Sequence, residues 1–468
     1  MVLCTLRDVL ESSSKLSSFS LPAYKEHNLE IRFSDIVPTS FPQDVSLPFA
    51  STSIFKANIR NWRRLTKEND ACKTVYEVSF NVKGSDFNFR PGDTIGIVPH
   101  NINTEVEEII DHLGLKSKAD LQYNIIENSN LKSTKKLLHV PIKSTLRHVL
   151  TYCCDIRSIL KKLFILALSK HTKDENERQI LEYLCSKEGS LEYTEYVLNK
   201  QFCILDLFAI FKSCKPPIEL LLSYLPRLLP RPYSIVNSGK VNSKELKICF
   251  SVMDLGNNRK GVVTGYLERV LLGAELPLEN HFQSLSLSNN YDSIKIPIYL
   301  RKNIMGFTPP SCLETPLILI GPGTGVSPFI GFLEERQFLN VKMHEKVGDV
   351  WLFFGCRNPN LDYIYKNELQ AFLYNGTITK LSTSFSRIDN GRSKYIQEAI
   401  MQNGKEIVNL ITEGASIYVC GDLKKMAAQI KNTLLDCLVK YNNKTVEEAA
   451  KLLSDMQIAK RYLIDSWS

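Results

Sequence analysis

The stretch Gly321-Pro322-Gly323-Thr324-Gly325-Val326-Ser327-Pro328 limits the folds open to this chain more than any other. It follows the apolar run Leu317-Ile318-Leu319-Ile320 and precedes Phe329 to Arg336, whose apolar residues recur at helical spacing. A buried strand, a glycine turn and a helix, in that order, offer backbone N–H groups and a positive helix end to a phosphate. Glycines are needed because a pyrophosphate must approach the main chain without meeting Cβ atoms. A tight βα turn that binds nothing reads the same locally, so the rest of the chain has to decide.

At 468 residues the chain is too long for one hydrophobic core and implies two or three domains. Its 44% hydrophobic and 23% charged content is that of an ordinary globular protein. No apolar run approaches the length of a membrane span; Leu163 to Leu168 is soon followed by Lys170 and His171. The N-terminus has no signal-peptide core, and Asp8 and Glu11 count against a mitochondrial presequence, so a cytoplasmic protein without a membrane partner is expected. The 12 cysteines include no CxxC pair, which fits free thiols in a reducing compartment. None of the 8 histidines lies in an HxxxH or HExxH pattern, so no metal site is expected. A net charge of +8 without a dense Lys/Arg stripe argues against nucleic acid. It fits a mildly basic face that meets an acidic partner, or simply a solvated surface.

Residues 1–52, rich in serine and scattered prolines, read as a tail or linker. Order is expected from about Ser53. Thr74 to Phe80 alternates like a half-buried antiparallel strand, and Thr94 to Pro99 follows the turn Pro91-Gly92-Asp93 as another. Thr104-x-x-Glu107 has the form of a capping box opening a helix that stops at Gly114. Helical spacing dominates from Thr145 to Leu229, and strands return at Tyr233 to Val236 and Leu246 to Val252. A helical block within antiparallel strands predicts a barrel over 53–312 interrupted by an insert at about 103–229. From 313 to 468 strands at Leu317–Ile320, Val350–Phe354 and Ile417–Cys420 alternate with helices near Ser327, at Asp362–Leu373, at Lys394–Gln402 and after Asp422. That alternation predicts a doubly wound parallel sheet, with Thr445-x-x-Glu448 capping a last helix. The fold class is therefore α+β joined to α/β.

Two further segments have the chemistry of anion and ring binding. In Arg231-Pro232-Tyr233-Ser234, an arginine fork can hold a diphosphate, a tyrosine can stack on a flat heterocycle and a serine can reach a ring nitrogen. Some thirty residues later, Lys260-Gly261-Val262-Val263-Thr264-Gly265-Tyr266-Leu267 has a glycine and small residues opening a helix, a second anion site or a plain N-cap.

The ordered set RPYS, KGVVTGYL, GPGTGVSPF, FFGCR, SR…KYIQ, YVCGD and Asp-x-Trp-Ser, spread from about residue 53 to 468, resembles the ferredoxin–NADP reductase module of diflavin reductases. The resemblance implies an antiparallel FAD-binding barrel with a helical connecting insert, followed by an NADP-binding domain. It implies that Arg231, Tyr233 and Ser234 hold FAD, with Tyr233 against the isoalloxazine and Ser234 near N5. Gly261, Val262, Val263 and Thr264 would close on the FAD pyrophosphate. Gly321, Gly323, Thr324 and Gly325 would cradle the NADPH pyrophosphate with Arg357, while Ser386, Arg387, Lys394, Tyr395 and Gln397 read its adenosine end. A 2′-phosphate carries about two negative charges and needs basic partners, whereas a bare ribose hydroxyl favours a carboxylate. Ser386-Arg387 with Arg392 and Lys394 therefore points to NADPH rather than NADH.

Hydride transfer requires the nicotinamide carbon to lie over the flavin nitrogen, beside groups that steady the charge that develops. The family places a serine, a cysteine and an acid there, which here are Ser234, Cys420 and Asp465, and a tryptophan, here Trp467, that stacks on the flavin and must swing away. The family also carries an FMN-binding domain before this module, which needs roughly 140 residues or more. Only about fifty precede the barrel, without sheet pattern or phosphate loop, so FMN is not expected in this chain. The resemblance then implies a separate FMN or flavodoxin-like protein as acceptor, with methionine synthase as the candidate downstream protein. A haem or sulfite reductase acceptor, or a catalytically weak methionine-synthase-binding module, are the alternatives.

Overall fold

The computed structural model describes residues 19–23, 29–40, 46–126, 137–256, 259–273, 294–344, 346–388, 393–421 and 424–466. The chain divides into two compact units, one of residues 49–97, 231–252 and 267–468, the other of residues 1–48, 98–230 and 253–266.

The first unit contains six antiparallel strands, β1 (Phe55–Arg64), β2 (Val75–Asn81), β3 (Thr94–Ile97), β4 (Arg231–Ser234), β5 (Glu245–Ser251) and β6 (Lys295–Leu300). Their order is β4-β3-β6-β1-β2-β5. Beyond Ser234 the two ends of that order meet: Ile235 bridges Ile248, and the Val236 N–H donates to the Lys247 carbonyl at 2.9 Å. The sheet thereby closes into a barrel, which leaves no long open edge. Ala57, Ile59, Val78, Phe80, Ile95, Ile97, Ile296 and Ile298 are all buried. β2 departs from the half-buried strand its alternation suggests, being buried at every position from Val75 to Phe80. Its second face is covered as well: Val75 joins a core with the helices Ser327–Met343 and Lys366–Tyr374, and the Glu77 carboxylate is paired with Arg63 at 2.9 Å.

The same unit carries five parallel strands, β7 (Leu317–Pro322), β8 (Val350–Cys356), β9 (Lys380–Phe385), β10 (Ser416–Gly421) and β11 (Tyr462–Ser466). They are arranged β9-β8-β7-β10-β11. Helices α1 (Ser327–Met343), α2 (Lys366–Tyr374), α3 (Ile396–Gln402), α4 (Gly404–Thr412), α5 (Lys424–Asn442) and α6 (Val446–Ile458) connect them. Period-two alternation splits the sheet's side chains between two cores. Ile318, Ile320, Phe353 and Val419 pack with α3 to α6, whereas Leu317, Leu319, Phe354 and Cys420 pack with α1 and α2. Each fully buried Leu, Ile or Phe contributes roughly 1.5–3 kcal/mol relative to exposure, so both faces hold the sheet. The order reverses at β7, and open α/β sheets bind ligands at such a switch point.

The second unit has a core of buried Leu, Ile, Val and Phe from helices within 103–224, including Lys162–Ser169 and Glu175–Cys185. Part of the expected tail belongs to it, since Glu30–Phe33 is a strand antiparallel to Gln122–Ile126. The capping box expected at Thr104 is absent: the helix runs Asn103–His112 from an N-cap at Ile102 with no side-chain cap. Thr104 already lies inside the first turn. The second box forms as expected, with the Glu448 N–H donating to Thr445 Oγ1 at 3.2 Å and the Thr445 N–H to Glu448 Oε2 at 2.9 Å. Thr445→Ala is expected to cost about 1 kcal/mol in α6. Faster amide hydrogen exchange confined to Val446–Ile458 would register it.

Candidate functional site

The glycine stretch ends β7 and passes through a short 3-10 turn, Gly323–Val326, into α1. Gly323 has φ of +53°, with nothing within 4 Å of the place a Cβ would occupy. At Gly325 a Cβ would lie 2.0 Å from the Cys420 carbonyl oxygen, so the turn rests directly on the end of β10. Ser327 Oγ closes the turn by donating to the Thr324 carbonyl at 2.6 Å. An open, left-handed glycine beside a helix start is a cradle that suits a pyrophosphate.

At the end of β10, three chemical groups converge. β10 and β11 are paired in parallel with Cys420 opposite Asp465. Cys420 Sγ donates to Asp465 Oδ2 at 3.9 Å, and Ser234 Oγ, from β4 of the barrel, donates to the same oxygen at 3.2 Å. Burial, reinforced by the neighbouring carboxylate, holds the Cys420 thiol well above its ordinary range, so it is a neutral S–H at physiological pH. Burial also raises Asp465, while the hydrogen bonds from Ser234 and Cys420 and the positive charge of Arg301 oppose that rise. The result is one carboxyl with two neutral donors, one of them brought from 231 residues away in sequence. Beside Ser234, β4 pairs Tyr233 with Ile95 and Arg231 with Ile97. The Tyr233 ring meets Phe250 edge-on at 6.2 Å. Trp467 lies outside the described residues, as does Arg392.

On the other side of β7, the loops after β8 and β9 are joined through their backbones. The Ser386 N–H donates to the Cys356 carbonyl and the Arg387 N–H to the Arg357 carbonyl, each at 3.0 Å. Asp362 shapes this loop by accepting from the Arg357 N–H at 3.0 Å and the Asn358 N–H at 2.7 Å, a role its place in the sequence did not signal. The Arg387 side chain is exposed. Tyr395, also exposed, is the N-cap of α3, and Gln397 Nε2 donates to Gln429 Oε1 at 2.9 Å. The Lys394 N–H donates to Glu398 Oε2 at 2.8 Å. The backbones of Arg357, Ser386 and Arg387 thus share one edge of the sheet.

In the second unit, Gly261 precedes the helix Val262–Leu271. The Gly261 N–H donates to the Met253 carbonyl at 2.8 Å, and the Met253 N–H to Thr264 Oγ1 at 3.2 Å. The Val263 side chain is buried, which leaves only its backbone N–H open to an anion. A buried bidentate pair supports the turn, Arg157 Nε and Nη2 donating to Glu105 at 2.8 and 2.9 Å while Nη1 donates to the Lys260 carbonyl. This anchor had no signal in the sequence, because its two members lie 52 residues apart. Among the described residues no helix is long and apolar enough to cross a membrane.

Comparison with known proteins identifies both halves. Residues 47–266 match the FAD binding domain family, and residues 319–432 the oxidoreductase NAD-binding domain family. Methionine synthase reductase of Rattus norvegicus is 34% identical over 471 aligned residues, covering 97% of this chain and 66% of the rat protein. The Homo sapiens counterpart is also 34% identical, with the same coverage of each chain. NADPH–cytochrome P450 reductase of Drosophila melanogaster is 32% identical, over 90% of this chain and 59% of the fly protein. The chain therefore spans just under two thirds of the length of these relatives.

The state of Cys420 can be checked chemically. In native protein it is expected to resist iodoacetamide at pH 8, because a buried neutral thiol is a poor nucleophile. The exposed Cys312 serves as the internal standard in a mass-spectrometric time course.

Proposed function

The chain belongs to the diflavin reductase family, as its ferredoxin–NADP reductase module, and from that premise we propose that it carries electrons from NADPH through FAD to an external FMN or flavodoxin-like protein, for reductive reactivation of methionine synthase. The observation that carries the reading is the meeting of Ser234, Cys420 and Asp465, with the glycine turn resting on the same strand end. Bound FAD supplies a two-electron acceptor for hydride that can afterwards release electrons singly.

The chain's own residues do the rest. Asp465 provides negative charge where a nicotinamide ring becomes positive as its hydride leaves. Ser234, which donates its proton to Asp465, would stand near the flavin N5 and hold the carboxyl in place there. Cys420, a buried neutral thiol, adds no second charge beside the carboxyl. Arg231, Tyr233 and Ser234 would hold FAD, with Tyr233 at its flavin ring, and the N–H groups of Gly261, Val262, Val263 and Thr264 would close on its pyrophosphate. Gly321, Gly323, Thr324, Gly325 and Arg357 would hold the NADPH pyrophosphate, and Ser386, Arg387, Lys394, Tyr395 and Gln397 its adenosine end. From the family resemblance, Trp467 would cover the flavin and give way to nicotinamide. A haem-protein acceptor is the second reading, favoured by the likeness to cytochrome P450 reductases.

Purified protein should be yellow and bleach on anaerobic addition of NADPH; protein that stays colourless when given FAD would remove the reading. Since burial raises the Asp465 carboxyl, its charge is lost as pH falls through that raised value. Flavin reduction is therefore expected to slow on acidification, with an inflection above the usual carboxylate range, and Asp465→Asn to give a slower, flat profile in stopped flow. Arg387→Ala is expected to weaken NADPH by about tenfold, on the order of 1.4 kcal/mol, and to leave NADH unaffected. Equal losses for both would take Arg387 out of the 2′-phosphate site. Trp467→Ala should raise NADH use, because an aromatic stack worth about 1 kcal/mol no longer opposes nicotinamide.

A further inference from the structure

Beyond Ser234 the chain meets the nucleotide layer at every second residue. Ser234 reaches Asp465. The Val236 carbonyl lies against Gly331 of α1, where a Cβ would come within 2.8 Å of its oxygen, and the Val236 side chain shares a core with Phe329 and Leu333. The Ser238 N–H donates to Glu334 Oε2 and Ser238 Oγ to Glu335 Oε2, both at 2.7 Å. Lys240 Nζ completes the group on Glu335 Oε1 at 2.9 Å.

Two adjacent glutamates turned inward on a helix are costly unless they hold something, because a carboxylate loses its hydration on burial. Glu335 is 7% exposed and Ser238 is fully buried, so this contact is part of the interior rather than a surface pair. α1 is the helix that begins at the glycine turn, and the 231–238 segment is the one that carries Tyr233 and Ser234. We propose that Glu334 and Glu335 are positioning residues for hydride transfer. They lock the helix of the dinucleotide turn to the barrel strand that carries Ser234, so the separation of the two reacting rings is set before either cofactor binds. The inference rests on the functional reading above and adds to it the residues that fix the geometry. Hydride transfer needs reacting atoms about 3–3.5 Å apart, so a shift of α1 by a few tenths of an ångström acts on the rate more than on affinity.

The test compares Ser238→Ala, Glu335→Ala and the conservative Glu335→Gln with the parent protein. Flavin reduction at saturating NADPH is expected to fall by roughly tenfold in the two alanine variants and less in Glu335→Gln, which keeps an acceptor oxygen. The primary isotope effect with 4-deuterated NADPH should rise, while FAD content and affinity for 2′,5′-ADP stay at parental values. In cofactor-free protein, Glu334→Ala should make the Ser238 amide exchange its hydrogen roughly tenfold faster. Gly331→Ala, which pushes α1 off the Val236 carbonyl, should copy the slow phenotype; if it does not fold, the other variants still decide. Parental reduction rates and isotope effects would overturn the proposal. So would a loss of FAD or 2′,5′-ADP affinity in step with the rate, which marks a general structural role. Parent protein that holds FAD but is not reduced by NADPH would instead overturn the functional reading.

Discussion

Everything at the candidate site depends on one backbone contact, the seating of Gly325 against the Cys420 carbonyl. No side chain other than hydrogen fits there, because a Cβ would stand 2.0 Å from that oxygen. The contact joins the turn that offers N–H groups to a phosphate with the strand end that presents the thiol. The parallel register of β10 with β11 then places Asp465 beside that thiol with no further adjustment. Glycine turn, thiol and acid are thereby joined through one strand end.

The barrel adds the third group from the other side. Its closure through Ile235 and Val236 fixes where Ser234 points, and the short chain beyond carries that position to the nucleotide layer. Electrostatics follow from this packing. A thiol that cannot ionise and a hydroxyl that donates leave Asp465 as the charge-bearing member of the trio, and burial makes that charge sensitive to pH. A site with one anion is suited to a reaction in which one positive charge appears and disappears.

Much of this was legible locally, and where it was not, the reason is physical. The run Leu317 to Ile320 followed by glycines predicts strand, turn and helix because three local preferences agree there. Thr445 forms its box and Thr104 does not, although the two tetrads look alike. The first chain enters its helix at Asn103, so Thr104 sits too deep in the turn to cap it. The strands Lys380–Phe385 and Tyr462–Ser466 went unread, one being short and polar and the other lying where fraying is the usual expectation. The strand Glu30–Phe33 is hidden among serines and prolines, and only its distant partner Gln122–Ile126 makes it one. Cys420 and Asp465 were named from resemblance alone, since no spacing rule connects them to Ser234, which the chemistry of its own tetrapeptide already singled out. Nothing in Arg157, Glu105 or Asp362 distinguishes them from solvated charges until the fold brings their partners in.

The parallel pairing of β11 with β10 has a consequence for synthesis. As the chain leaves the ribosome, the phosphate turn and the Cys420 strand emerge well before Tyr462–Ser466, the segment that contributes the acid. Any polypeptide stopped before Tyr462 therefore lacks the carboxylate that the complete sheet sets beside the Cys420 thiol.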